Sequence, residues 1–347
     1  MTRGTSARRA ARLVALLAVA LGLVGCGDSW QGSATALRIG YMPNLTHAPA
    51  IVGVEGGFFE AALPAGVRLS TMTFNAGPNV IEALNAGSID AAFVGANPTI
   101  NGFVRSQGRA LRVVAGTASG GAALVVRSGI ETPEDLRGGR LATPQLGNTQ
   151  DVAARHWLAE QGLETTRTGG GDVQILPQSN ATALQSFRAG DVDGAWVPEP
   201  WASRFVLEGG AHVLVDESEL WPDGRFVVTN LVVRTGYLEA HPQNVAALLD
   251  GLLDTLAHID AEPGSARRTV DESIATLTRT SLGAEVLERA WQNVEMTYDP
   301  LVATMRTAAE NAHDLGLLDS ADLDGLWELD LLDAALEARG LDPVGAP

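Results

Sequence analysis

Lysine is missing from all 347 residues: every one of the 24 basic side chains is arginine, against 41 acidic ones, for a formal charge of −17. Such a surface repels phosphate backbones and leaves no basic stripe, which excludes nucleic acid as a partner. Chemistry through a lysine Schiff base is excluded with it. Cysteine occurs once, at Cys26 near the N-terminus, so the body of the chain has no thiol nucleophile. The histidines are too dispersed for metal-ligand spacing, and no metal or cofactor is expected. Apart from one stretch close to the start, no apolar run is long enough to cross a bilayer. The 46% hydrophobic and 19% charged composition is that of a soluble globular protein.

The one apolar stretch has the tripartite form of a secretory signal. Arg3, Arg8, Arg9 and Arg12 precede an uncharged run from Leu13 to Val24, too short for a comfortable membrane span. Leu23-Val24-Gly25-Cys26 resembles a bacterial lipobox, in which a peptidase cuts before the cysteine and its thiol carries a diacylglycerol. Residues 1–25 are therefore expected to be a lipoprotein signal peptide, Cys26 the lipidation site, and residues 26–36 a polar tether. The product would be exported and held by its lipid on the outer face of the cytoplasmic membrane. Arg8-Arg9 alone does not decide the export route.

Roughly 320 residues remain, enough for two lobes of ordinary domain size. They state one pattern twice. GDVDGAWVPEPW (Gly190–Trp201) echoes the stretch from Gly87 to Pro98: Leu84 matches Phe187, Asp90 matches Asp193, Phe93 matches Trp196 and Val94 matches Val197. Ahead of each lie a strand, a turn and an amphipathic helix, carried by Val80, Ile81 and Leu84 in one copy and by Ala183, Leu184 and Phe187 in the other. Further back, Leu37–Phe59 and Gly139–Gly162 each read as a strand, a polar loop and a helix. The expected fold is α/β: two lobes, with two mixed, mostly parallel sheets flanked by helices and joined by two crossing segments. Residues 37–119 and 231–347 would form lobe 1 and residues 120–230 lobe 2. Leu111–Gly129 and Phe226–Leu238 read as the crossings, Thr132-Pro133 as a helix start, and the C-terminal stripes, such as Val245 to Leu256, as helices covering a sheet. Ligands of parallel sheets sit at the carboxyl ends of the strands. The cleft would then be lined by the loops after Gly40, Phe74, Val94, Ala142, Leu176 and Val197.

RIGYMPNLTHAP (Arg38–Pro49), FNAGPNVIEALNAGSIDAAFVGANP (Phe74–Pro98), TPEDLRGGRLATPQLGNTQD (Thr132–Asp151) and AGDVDGAWVPEPWASR (Ala189–Arg204) together resemble the type II substrate-binding proteins of ABC importers, within them the sulfonate, taurine and nitrate group. The resemblance covers essentially all of Leu37–Gly340. It implies the two-lobed periplasmic-binding-protein (type II) fold and a monomeric receptor that captures a small anion or zwitterion between its lobes and delivers it to a permease driven by two ATPase subunits. An aliphatic sulfonate or taurine is the leading ligand. Nitrate, bicarbonate, an aromatic acid and a thiamine-precursor pyrimidine are the alternatives. Relatives of this fold that are enzymes use a lysine-bound pyridoxal phosphate or a cysteine, both excluded by inventory. A serine hydrolase is disfavoured because Gly116–Gly120 lacks nucleophile-elbow spacing; a non-transport interaction lipoprotein is the reading from a third class.

None of the six cleft loops contains arginine, so backbone amides at helix starts are the expected anion donors. Asn148, Thr149 and Gln150 open one helix and Asn97 another. Asn44 and His47 stand in the first loop and Asn180 in the loop after Leu176. Ser119 and Asn230 sit in the crossings. Trp196 mirrors Phe93 and reads equally as core. Trp201 is a stacking candidate. Glu199, between two prolines, either faces the cleft and holds a cationic group or braces its loop.

Overall fold

The computed structural model describes residues 33–345. The signal peptide, Cys26 and most of the tether lie outside the described residues.

Two β-sheets carry the chain. In order, the strands are β1 (Ala36–Tyr41), β2 (Arg68–Thr73), β3 (Ala91–Val94), β4 (Leu111–Gly120), β5 (Ala122–Val126), β6 (Arg140–Thr143), β7 (Gln174–Pro177), β8 (Gly194–Pro198), β9 (His212–Asp216), β10 (Val227–Arg234) and β11 (Val294–Met296). The first sheet has the order β11-β4-β10-β3-β1-β2 and the second β7-β6-β8-β5-β9. In the first, β1 lies parallel to both β2 and β3, and β10 runs antiparallel to β3. In the second, β6 lies parallel to both β7 and β8, and β5 runs antiparallel to β8. The repeated sequence pattern is thus a repeated topology: β1, β2 and β3 correspond to β6, β7 and β8.

The echoed aspartates show why the repetition is physical. Asp90 ends the turn before β3. Its carboxylate accepts from the backbone N–H of Arg38 in β1 at 3.1 Å, while its own N–H donates to the Arg38 carbonyl at 2.8 Å. Asp193 does the same to Arg140 in β6, with distances of 2.8 and 2.7 Å. Each aspartate pins the central strand of its sheet to the neighbouring strand where the chain re-enters. Asp90 also gathers the Arg38 guanidinium, at 2.8 and 2.7 Å, and that of Arg234 in β10 at 3.1 Å.

The inner strands β3, β4, β5, β8 and β10 are buried on both faces because helices cover them, whereas the edge strands β2 and β7 are mostly exposed. The first sheet's core is aliphatic, from Leu37 and Ile39 through Val113 and Leu231 to Leu248 and Leu252. The second sheet has two smaller clusters, one around Trp157 and Trp196 and one around Phe187 and Phe205. The Pro242–Ala261 and Pro263–Thr278 helices pack on the Ala48–Glu55 helix at the first sheet, as their apolar stripes require.

The chain first passes from one sheet to the other at Gly120 and Gly121, whose φ values of 77° and 71° favour glycine. It returns between β9 and β10 through short 3-10 turns, Glu217–Leu220 and Pro222–Gly224, rather than through Phe226–Leu238, most of which is β10 itself. The helix start read at Thr132 is one 3-10 turn, Pro133–Leu136, held by a Thr132–Asp135 capping box.

Candidate functional site

All six loops that follow β1, β2, β3, β6, β7 and β8 contribute to one cavity of about 480 Å³ between the sheets. Val228 and the end of the Pro263–Thr278 helix with its following loop, from Ile274 to Leu282, close its remaining side. Among the described residues, no aspartate or glutamate lines it.

One wall is the start of the Thr149–Glu160 helix. Asn148 caps it, accepting from the Thr149 N–H at 2.8 Å. Behind the loop stands Asp151, fully buried, which accepts from the Gly147 N–H at 2.9 Å, the Thr143 hydroxyl at 2.8 Å and the Arg155 Nε at 3.0 Å. These bonds fix the loop that carries Asn148, Thr149 and Gln150, all three of which line the cavity. With its backbone held from behind, the Thr149 hydroxyl is left buried and without a hydrogen-bond partner. It lies only 2.8 Å from where a Cβ on Gly95 would stand, so the lobes meet at this point.

The second wall is the start of the Asn180–Ala189 helix. Ser179 takes the capping role, accepting from the Thr182 N–H at 3.2 Å. Asn180 is thereby released from capping, and its side-chain oxygen is buried without a partner at the cavity.

Asn44 and His47 form the third. Asn44 accepts from the Leu45 N–H at 3.1 Å and opens the 3-10 turn Leu45–His47. His47 is 1% exposed, and burial lowers its pKa from 6.5 to about 3. It is neutral at physiological pH. The Met42 N–H points at its Nδ1 over a long 3.5 Å, which places the ring hydrogen on Nε2 as a donor.

Five residues predicted for the cleft lie outside it. Trp196 is fully buried: it donates from Nε1 to Glu217 at 2.6 Å and meets Trp157 edge-on at 5.9 Å. Glu199 is 1% exposed and braces its loop, accepting from the Ser203 N–H and hydroxyl at 3.0 and 2.9 Å and from Asn293 Nδ2 at 2.7 Å. Asn97 turns away and donates to the Ala308 carbonyl at 3.3 Å. Asn230 lies in β10, its amide against the Met305 sulfur at 3.7 Å. Ser119 accepts from the Phe226 N–H at 3.3 Å, tying the two crossings together. For the four other than Asn230 a partner distant in sequence claims the polar group that local reading assigned to ligand, whereas the Asn230 side-chain oxygen stays buried without a partner.

A wider groove of about 980 Å³ lies on the other side of the Gln145–Gly147 loop. None of its lining residues carries a buried, unpartnered polar atom. The smaller cavity is the better candidate on that ground. Among the described residues, no group of three or more His, Cys, Asp or Glu is placed to hold a metal ion, and no helix is long and apolar enough to cross a membrane.

Residues 31–275 match the NMT1-like family. The chain belongs to that family. Among its relatives, a protein named as a putative aliphatic sulfonates-binding protein, from Escherichia coli (strain K12), is 31% identical over 72% of this chain and 73% of its own length. A taurine-binding periplasmic protein from the same strain is 26% identical over 73% and 75%. Among solved structures, the alkanesulfonate-binding protein SsuA from Xanthomonas axonopodis pv. citri, bound to MOPS, has a TM-score of 0.69 at 25% identity, covering 83% of this chain and 96% of its own. The periplasmic nitrate-binding protein NrtA from Synechocystis PCC 6803 reaches 0.72 at 16% identity, over 88% and 89%, and shows the fold alone. These relatives are named as binding proteins, not as enzymes.

Two arginines of this NMT1-like chain reach the cavity from helices rather than from the loops: Arg204, near in sequence to the loop after β8, and Arg188, which no loop motif signals. Arg188 and Arg204 both line the cavity. The helix period was the signal: Arg204 stands three positions after Trp201 and Arg188 eight after Asn180, so each returns to the face its helix start presents to the cleft. Arg204 stacks on the Trp201 ring at 4.6 Å.

Proposed function

We propose that the chain is the solute receptor of an ABC importer, with residues 37–119 and 231–347 as one lobe and 120–230 as the other, and that its ligand is an aliphatic sulfonate without an ammonium group. It is not an enzyme in this reading, and works as a monomer, lipidated at Cys26 on the outer face of the cytoplasmic membrane, beside its permease and ATPase subunits.

The observation that carries the ligand reading is the lining. Its buried polar atoms without partners, Thr149 Oγ1 and the Asn180 amide, stand at helix starts. There the orphan N–H groups and the helix dipole favour an anion. The Asn180 amide, turned end for end, presents donors in place of its oxygen. His47 adds a neutral donor. Leu184, Pro198, Trp201, Ile274 and Leu282 offer apolar surface for an alkyl chain. No carboxylate is there to meet an ammonium, so the zwitterion taurine would bring a charge that finds no partner. A cavity of about 480 Å³ also exceeds the needs of nitrate or bicarbonate many times over.

A thermal-shift panel of alkanesulfonates, taurine, nitrate, bicarbonate and aromatic acids tests this, with native mass spectrometry of the purified protein as support. An alkanesulfonate at 100 times its dissociation constant should add about 2.7 kcal/mol to stability. Stabilisation by nitrate or bicarbonate and not by any sulfonate would overturn the assignment.

A further inference from the structure

The two arginines at the cavity share one carboxylate. Arg204 donates to Glu208 from Nε at 2.9 Å and from Nη2 at 3.2 Å. Arg188 donates to the same carboxylate from Nη2 at 3.0 Å and to the Glu208 carbonyl from Nε at 3.2 Å. The hydrogen bonds from Arg204, more than those from Arg188, hold the Glu208 carboxyl below the usual carboxylate range, so it is ionised at neutral pH. Two guanidinium charges against one carboxylate leave a net positive charge, and Glu208 itself does not line the cavity. Each guanidinium carries five N–H groups. Among the described residues Nη1 of neither arginine makes a hydrogen bond. The Arg204 guanidinium carbon also lies over the Trp201 ring, 4.6 Å from its centroid, a second contact that restricts its fork.

Along the Asn180–Ala189 helix this charge stands away from the helix start. Asn180 opens its helix and Arg188 stands eight residues along it, a separation of about 12 Å at the helical rise. Both line the same cavity, with Leu184 between them. The site is therefore bipolar in an uncommon way: uncharged donors at one end, an apolar middle, and an excess cation at the other.

We propose that Arg188 and Arg204, oriented by Glu208, form a second anion subsite, and that the receptor prefers dianions carrying acidic groups at both ends of a short alkyl chain, such as disulfonates or sulfonated carboxylic acids. The inference rests on the sulfonate reading of the inner end and adds a recognition element at the outer one. A monosulfonate fills the inner pole and leaves the guanidinium pair to water. A dianion of the same length meets both.

Isothermal titration of the whole protein with hexanesulfonate and with hexane-1,6-disulfonate separates the two readings. The disulfonate should bind about tenfold tighter, the value of one charge-assisted contact. Arg204→Gln and Arg188→Gln should each weaken the disulfonate more than hexanesulfonate and so erase most of that advantage. Arg188 is the safer site if Arg204→Gln disturbs the Trp201 stack, since its side chain is 45% exposed. Equal affinity for the two ligands in the wild type would overturn the second subsite and leave the sulfonate reading standing, as would an equal loss of both ligands in the Arg188 variant. Binding of neither ligand would overturn both readings.

Discussion

Among single residues, Gly95 and His47 make the sharpest demands. Gly95 has an ordinary φ of −66°, so its lack of a side chain serves space, not backbone conformation. A Cβ there would stand 2.8 Å from the Thr149 hydroxyl across the gap between lobes. Either Thr149 gives way, taking its hydroxyl from the cavity, or the lobes part. Overpacking of this kind costs about 1–3 kcal/mol, so Gly95→Ala should weaken ligand binding by about tenfold or more while leaving the circular dichroism unchanged. Unaltered affinity in a titration would show that the contact is incidental. His47 sets a pH dependence. Its folded pKa of about 3 lies below the unfolded value of 6.5, so the unfolded chain binds the proton first on acidification. The stability associated with neutral His47 is complete above pH 6.5 and is lost as pH falls toward 3. Glu217 acts in the opposite sense: burial raises its pKa to about 7, so its contribution falls as pH rises from 4.5 to 7. Comparing wild type with His47→Gln cancels that term. Between pH 6.5 and 4.5 the wild type should lose about 2 kcal/mol more than the variant in urea unfolding; parallel losses would contradict the buried, neutral imidazole.

Single elements explain which of these residues a sequence discloses. Helix starts are local, written in a few consecutive residues, and Asn148, Thr149, Gln150 and Asn180 were legible for that reason. So was the strand–turn–helix rhythm, because the period of apolar residues needs no partner to be seen. Glu199 and Trp196 were not legible: the side a carboxylate or an indole faces depends on Ser203, Asn293 and Glu217, the last two far away in sequence. The pinning aspartates were visible only as an echo, without their consequence. Their environments differ: the Asp90 side chain is fully buried between two arginines, whereas that of Asp193 is 22% exposed. Removing one partner of a buried ion pair leaves an uncompensated charge, so Asp90→Ala should cost about 3–5 kcal/mol. Asp193→Ala should cost clearly less, since exposed pairs contribute about 0–1 kcal/mol beyond its backbone bond. Denaturant unfolding of both variants tests the ordering, and equal costs would deny Asp90 its place as the charged centre of the first sheet.

For the whole molecule, the two sheets are held in register by few polar links. Glu199, which follows β8, reaches Asn293 beside β11 at 2.7 Å, and Arg167 donates to the Gly316 carbonyl at 3.2 Å. The cavity is walled by both lobes, so a ligand within it contacts both and favours the state in which they meet. Two lobes and a cleft were readable from the repeated pattern, but the charge inside was not. Of the two roles open to Glu199, facing a ligand or bracing its loop, it takes the brace, and two arginines on helix faces supply charge where the loops have none. The central claim is that the cleft takes a sulfonate and has nothing for an ammonium group. Taurine is ethanesulfonate with one hydrogen of the terminal carbon replaced by an ammonium group, so one isothermal titration of each into the purified protein isolates that difference. The account predicts that ethanesulfonate binds more tightly than taurine; a tighter taurine complex would contradict it.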